Sequence, residues 1–307
     1  MKNKRKSLCC ISLMLPDDVG ASCMTKKRFL MLERKTALKI VSERTLNNLR
    51  VTLKTIEHCV KNKWNYRISS GIIPLITLPE ANISIDILPD KDQIYEEFKK
   101  CAEIIRKNNL RCSTHPDQFV VLASMNLNTV KKSILELHHH GDIMDLFELP
   151  KSYESPINIH MNCYKGSPLE DTANRFITIY NSLNDNVKSR LVLENEDKLN
   201  SWNVKQLYDH IYVKTNIPIT YDNLHFKNNT GNLSNIEAYN LAKSTWGNYI
   251  PLFHFSDCEK NAKNPRAHAD YVSQIPEEYN NADKIDLEFE FKAKDLAIKK
   301  FEKTFNC

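Results

Sequence analysis

A recurrent pattern marks this chain: short apolar runs that stop on a side chain able to ligate a metal or move a proton. The stops are His115, His160, Glu194, Asp222, His254 and Glu290. The plainest case is Leu191-Val192-Leu193 followed by Glu194. A buried strand that ends in an acid puts a charge at the mouth of a core, where it must be paired or metal-bound. Imidazoles and carboxylates together are the ligands of borderline and hard divalent ions. Two such ions about 3.5–4 Å apart can clamp a phosphate, and one can lower the pKa of its water. Glu194, at a central strand end, can bridge two ions. Asp222 and His225 are spaced so that one turn can aim both into the same site. His268 lies in the polar stretch Arg266-Ala-His268-Ala-Asp270-Tyr271, on the kind of loop where function concentrates. In Leu137-His138-His139-His140, neighbours stand about 100° apart around a helix axis, so only one or two can face inward. His138 and His139 read as a surface polar cluster, and His58 and His210 as ordinary helix histidines.

Strands must carry this set. The patterns predict eight of them, at residues 7–15, 64–68, 110–114, 156–160, 191–194, 218–222, 249–254 and 285–289. Between them lie helical spacings at 42–60, 92–108, 126–147, 171–183, 204–213 and 233–242, and a last one at 291–301. Eight strands alternating with helices over 307 residues predict an α/β fold of the (β/α)₈ TIM-barrel type. We read it as a single domain over 1–307, with residues 1–6 as a basic tail. In such barrels the site sits at the C-terminal ends of the strands, where the ligand-type residues recur.

Composition narrows the classes. Hydrophobic content of 41% and charged content of 26% are those of a globular domain. The net charge of +5 permits a polyanionic partner without demanding one. Nine cysteines without CxxC pairs predict reduced thiols in an intracellular, reducing compartment, cytoplasm or nucleus. The apolar stretch near the N-terminus is short and lacks a small-residue cleavage site, so it reads as a strand rather than a signal peptide. No run is long enough to span a membrane. With only 6 Gly, glycine-rich phosphate loops are excluded.

The motifs, taken in order, resemble those of the UV damage endonuclease family. Tyr66-Arg67-Ile68-Ser69-Ser70 resembles its YRISS element, and His115-Pro116-Asp117-Gln118-Phe119 its HPxQ-aromatic motif. Residues 136–140 resemble its ELxxH helix. Ile159-His160-Met161-Asn162 with Tyr164-Lys165-Gly166 resembles IHMN…YG, and Leu193-Glu194-Asn195-Glu196-Asp197 resembles LENDD. Asp222-x-x-His225, His254-x-Ser256 and Glu290-x-Lys292-x-Lys294 resemble DxxH, HxS and the final EAKxK. Leu252, Leu78 and Ser7-Leu8 depart from the pattern, standing where the family tends to carry Lys, His and a Gly-aromatic pair.

The resemblance implies a metal-dependent DNA repair endonuclease. It would act as a monomer on damaged double-stranded DNA, cutting the backbone immediately 5′ to UV photoproducts. It implies two or three divalent ions, manganese before magnesium or zinc. By matched position His115, His140 and Glu194 would hold one. Glu194, Asp222, His254 and Glu290 would hold a second, and His225 with His268 a third. Glu194, Asp222, His254 and Glu290 would be the catalytic set. Gln118 and Phe119 would probe the duplex, and Arg67, Asn162, Tyr164, Lys165, Lys292 and Lys294 would contact DNA. Taken alone, Phe119 could equally pack a strand-end turn into the core. Three rivals share the barrel: an apurinic-site endonuclease resembling endonuclease IV, a metal-dependent sugar isomerase, and a catalytically dead DNA binder. Cleavage of photoproduct against abasic duplexes separates the first, and the salt dependence of binding the second. DNA affinity without nicking would mark the third.

Overall fold

A computed structural model of the chain describes residues 4–16, 21–162, 167–280 and 284–305. Among them run strands β1 (Lys6–Cys9), β2 (Asn65–Ile68), β3 (Cys112–Thr114) and β4 (Ile157–His160). β5 (Leu191–Glu194), β6 (Ile219–Thr220), β7 (Leu252–Phe255) and β8 (Asp286–Phe289) complete the set. Neighbours pair in parallel in the order β6-β5-β4-β3-β2-β1-β8-β7. The seam between β6 and β7 is drawn shut by a parallel bridge between Asp222 and His254, and by a 3.0 Å bond from the His254 N–H to the Tyr221 carbonyl. Helices such as Arg34–Asn62, Lys91–Asn108 and Leu127–Leu146 form the outer layer. The fold is the expected TIM barrel.

Its lumen is unusual. Such barrels are filled mostly by branched apolar side chains. Here Arg67 on β2 pairs with Glu288 of β8 at 3.0 Å and with Glu290, although β1 lies between the two strands. Arg111, one residue before β3, reaches Asp286 at 2.9 Å, and the Ser113 hydroxyl donates to Glu288. Bonds between strands that are not neighbours must cross the lumen. Strand period two then puts Asp286, Glu288 and Glu290 on one inward face, while Leu287 and Phe289 are buried under the helices. β2, β4 and β8 read as alternating polar and apolar, whereas β5 shows a continuous apolar run.

The structure corrects three expectations. The first strand ends at Cys9, not at residue 15, because the backbone turns into the left-handed region at Cys10 (φ 68°). The long helix starts at Arg34, eight residues before the Ser42 expected to open it. Ser42 is buried inside the helix and its hydroxyl donates to Asp90 at 2.8 Å, so the apparent start signal serves a tertiary contact. The helix has no side-chain cap at Glu33, hence no local signal to read. The basic tail also shortens. Lys6 opens β1 and pairs with Glu302 at 3.3 Å, and Arg5 pairs with Asp286 at 3.1 Å.

Candidate functional site

Glu194 closes β5 with 1% of its surface exposed, and four imidazoles surround its carboxylate. His115 Nε2 and His254 Nδ1 each lie 3.1 Å from Oε2. His225 Nδ1 is 3.0 Å from Oε1, and His160 Nε2 is 3.6 Å from Oε2. The Asn158 amide donates to the same Oε2. A second acidic group stands beside it: Asp222, His254 and Glu290 offer ligand atoms within 4.8 Å of one another. Residues as distant in sequence as His115 and Glu290 thus share one rim only because strand ends in a closed barrel converge.

The anchoring of the imidazoles says what they present. His115 Nδ1 lies 2.9 Å from the Pro116 carbonyl, an acceptor only, so Nδ1 must carry the hydrogen. His254 Nε2 lies 3.2 Å from the Glu288 carboxylate. His225 Nδ1 donates to the Asn195 carbonyl at 3.0 Å, and His268 Nδ1 to the Glu290 carbonyl at 2.5 Å. One nitrogen of each ring is tied and the other is left as a lone pair, the arrangement that fixes a metal-binding tautomer. For neutral His115 and His254 that lone pair faces Glu194, acceptor against acceptor. Such a contact needs a cation, either a proton or a metal ion, between its atoms. Glu194 Oε1, Asp222 Oδ2 and His254 Nδ1 are buried with no hydrogen-bond partner. Donor set and orphaned atoms therefore fit divalent ions.

Without another cation the strain appears as shifted titration. Burial pushes Glu194 up, but His254 and His160 outweigh it and hold the carboxyl well below its usual range. Burial pushes Asp222 up, and Glu194 and Glu290 add to that against the pull of His225. Burial alone would lower His254, yet Glu194 and Glu290 keep it well above its ordinary value. His160 goes the other way, with burial pushing it down to about 4. Glu288 is held down at about 2: burial opposes this, and Arg67 and His254 overcome it.

Local structure explains each position. Asp222 caps the short helix Asn223–Asn228 by accepting from the His225 N–H at 2.6 Å, which sets His225 against Glu194 and Asp222 beside His254 and Glu290. Glu290 follows β8, its N–H bonded to the Phe255 carbonyl at 2.9 Å. His268 sits on the β7–β8 loop with 28% of its side chain exposed, facing Glu290.

His140 stands elsewhere. It lies on Leu127–Leu146, outside the barrel wall, and its Nδ1 meets the Thr114 hydroxyl at 2.8 Å while Nε2 faces Glu136 at 3.5 Å. Thr114 points toward the helices because its neighbour His115 points inward, so the wall separates His140 from Glu194. The imidazole that joins His115 at Glu194 is His160, which ends β4 as the other site residues end their strands. Sequence reasoning also passes over Glu288, although Asp286-x-Glu288-x-Glu290 has the strand period.

The expected DNA-contacting residues divide. Gln118 is exposed, and Phe119 is 77% exposed, which overturns the alternative that Phe119 packs into the core. Lys292 is exposed beside Glu259 at 3.8 Å. Arg67 is not available, since its guanidinium is spent on Glu288 and Glu290 inside the lumen. Asn162 is a structural tie, its amide donating to the Val120 carbonyl at 3.1 Å and its N–H to Glu196 at 2.8 Å. Tyr164 and Lys165 lie outside the described residues.

Comparison with known proteins agrees with this architecture. The family described as UV-endonuclease UvdE matches residues 6–306. The UV DNA damage endonuclease of Nostoc sp. is 30% identical over 305 residues, covering 97% of this chain and 89% of the relative. That of Bacillus mycoides is 30% identical over 266 residues, covering 83% and 79%. The crystal structure of SacUVDE superposes with a TM-score of 0.82 at 29% identity, covering 99% of both chains. Endonuclease IV from Thermus thermophilus shares the fold with a TM-score of 0.59 at 11% identity, covering 98% of this chain and 99% of its own. On these matches the chain belongs to the UV-endonuclease UvdE family.

Proposed function

We propose that this protein is a DNA repair endonuclease that hydrolyses the backbone immediately 5′ to UV photoproducts, at a cluster of two or three divalent ions, manganese foremost. The observation that carries this is the pair of acceptor-against-acceptor contacts that His115 and His254 make with the buried Glu194 carboxylate. Family membership supports the substrate class. In this reading His115, His160, His225 and His254 would supply lone pairs, Glu194 would be shared between ions, and Asp222 and Glu290 would complete the second position. His268 extends the ring beyond Glu290. Divalent ions held by these residues would supply Lewis acidity to a phosphate and would lower the pKa of a bound water. The protein's own part is orientation: Glu288 and three backbone carbonyls lock the imidazole tautomers, and Asn158 fixes the Glu194 rotamer. Arg67 occupies the space between Glu288 and Glu290, which keeps an ion from settling deeper beside Cys9. Gln118 and Phe119 extend from the rim toward a duplex, where a lesion lowers the cost of unstacking.

The test is nicking of UV-irradiated plasmid with Mn²⁺. Glu194→Gln is expected to abolish nicking while circular dichroism stays native; full activity would refute the bridging role. A parallel assay on photoproduct and abasic duplexes separates this activity from an apurinic-site endonuclease. A clear preference for abasic DNA would replace the photoproduct reading.

A further inference from the structure

The loop after β1 is built with a care that the metal chemistry does not need. Cys10 is held from both sides: its N–H donates to the Arg67 carbonyl at 2.9 Å, and its carbonyl accepts from the Tyr66 hydroxyl at 3.0 Å. One carboxylate then binds the whole next turn. Asp295 has no exposed surface and accepts from the Ser12 hydroxyl, the Leu13 N–H at 2.8 Å and the Met14 N–H at 3.3 Å. His58 backs the same carboxylate at 3.4 Å. Burying a charge is costly, so spending one on a surface turn makes sense where the shape of that turn matters.

That shape displays apolar side chains. Ile11, Leu13 and Met14 are 45%, 49% and 44% exposed. Three within four positions, on a pinned backbone, exceed the ordinary scatter of surface hydrophobics. The place is telling too. The loop begins at Cys9, whose sulfur groups with the carboxylates of Glu288 and Glu290, so its start borders the candidate metal centre. β2 separates it from β3, whose following loop carries Phe119.

We propose that Ile11, Leu13 and Met14 form a preformed apolar wedge that contacts the damaged step of duplex DNA, with Asp295 as its positioning residue. This rests on the endonuclease reading above. Apolar wedges enter a duplex between base steps and are resisted by intact stacking, so a weakened step admits them more cheaply. An uncharged contact displaces no counterions, so it adds lesion preference without adding salt dependence.

Steady-state nicking by the metal-loaded full chain tests it, with a single-photoproduct duplex as substrate and undamaged duplex as competitor over a salt series. In the double variant Leu13→Ala/Met14→Ala, KM should rise about tenfold. Its kcat, and the inhibition constant of undamaged duplex at every salt, should stay unchanged. Both side chains are exposed, so folding is not at stake. Asp295→Asn should raise KM in the same sense and speed amide exchange at Leu13 and Met14. An unchanged KM in the double variant overturns the wedge, as does an equal rise in KM and in the competitor's constant. If the parent protein itself shows no preference for damaged duplex, the endonuclease reading falls first and the wedge with it.

Discussion

The two ends of the barrel solve the same problem with different cations. At the N-terminal end, Asp286 is buried against Arg111 at 2.9 Å, Arg5 at 3.1 Å and the Asn65 amide at 3.0 Å. Those guanidinium charges are permanent and the carboxylate is satisfied by the chain itself. At the C-terminal end, Glu194 is equally buried but meets four imidazoles, whose charge is conditional, and the neutral Asn158 amide. One end is complete as folded. The other is completed only by protons or by ions from outside. Glu288 stands midway, holding Arg67 on one side and His254 on the other. The polar lumen is thus a gradient from structural to functional charge.

Breaking the closed end should have the largest effect on stability. Asp286→Asn leaves Arg111 buried without its countercharge, and denaturant unfolding should show a loss of about 3–5 kcal/mol. The loss should be the same with Mn²⁺ or with chelator, because no ion serves that end. A metal-dependent loss would erase the distinction between the ends.

The open end should respond to ions instead. Mn²⁺ at about 100 times its dissociation constant should stabilise the parent protein by about 2.7 kcal/mol, and chelator should reverse this. Glu194→Gln should show no such gain in thermal melts. Equal stabilisation of both proteins would place the ions elsewhere. Glu288→Gln probes the midpoint. With the His254 tautomer less firmly held, metal affinity by titration calorimetry should fall about 10–100-fold. Unchanged affinity would make Glu288 a purely structural partner of Arg67.

The smallest effect returns to the closed end. Arg190, fully buried just before β5, pairs with Asp145 at 2.8 Å. Burial pushes the Asp145 carboxyl up, but bonds from Arg190 and Lys151 outweigh it and lower its pKa. A carboxyl lowered on folding contributes stability above its unfolded value of about 4, and that contribution disappears as pH falls through the folded value. Asp145→Asn should therefore cost about 1 kcal/mol at pH 7 and progressively less as pH falls below about 4. A variant cost that is flat with pH would mean the pair adds nothing.

Much of the site is legible in the residue order. Strand runs that stop on His, Asp or Glu locate His115, Glu194, Asp222, His254 and Glu290, and they do converge. The helix histidine His140 enters by motif position alone. Motif position records a place in the chain, not the side of a wall, and Thr114 shows which side it is on. Arg67 looks like a phosphate contact because an arginine in a basic chain invites that reading. Its partners lie 221 and 223 residues away on β8, and no local pattern pairs them. The end of the first strand is misplaced for a similar reason. Apolar Ile11, Leu13 and Met14 continue a strand-like run, while the positive φ at Cys10 has no glycine to announce it.

The amino-acid order by itself determined the barrel class, the number of strands and the rim on which ligand-type residues gather. Alternation, strand length and strand-end chemistry are local properties, and local forces write them into the chain. Only the closed sheet decided which imidazoles face Glu194, which acids already own a guanidinium, and which apolar residues stay in water. Those outcomes depend on lumen contacts such as Arg111 with Asp286, 175 residues apart, and such contacts exist only once the sheet has curved round to meet itself.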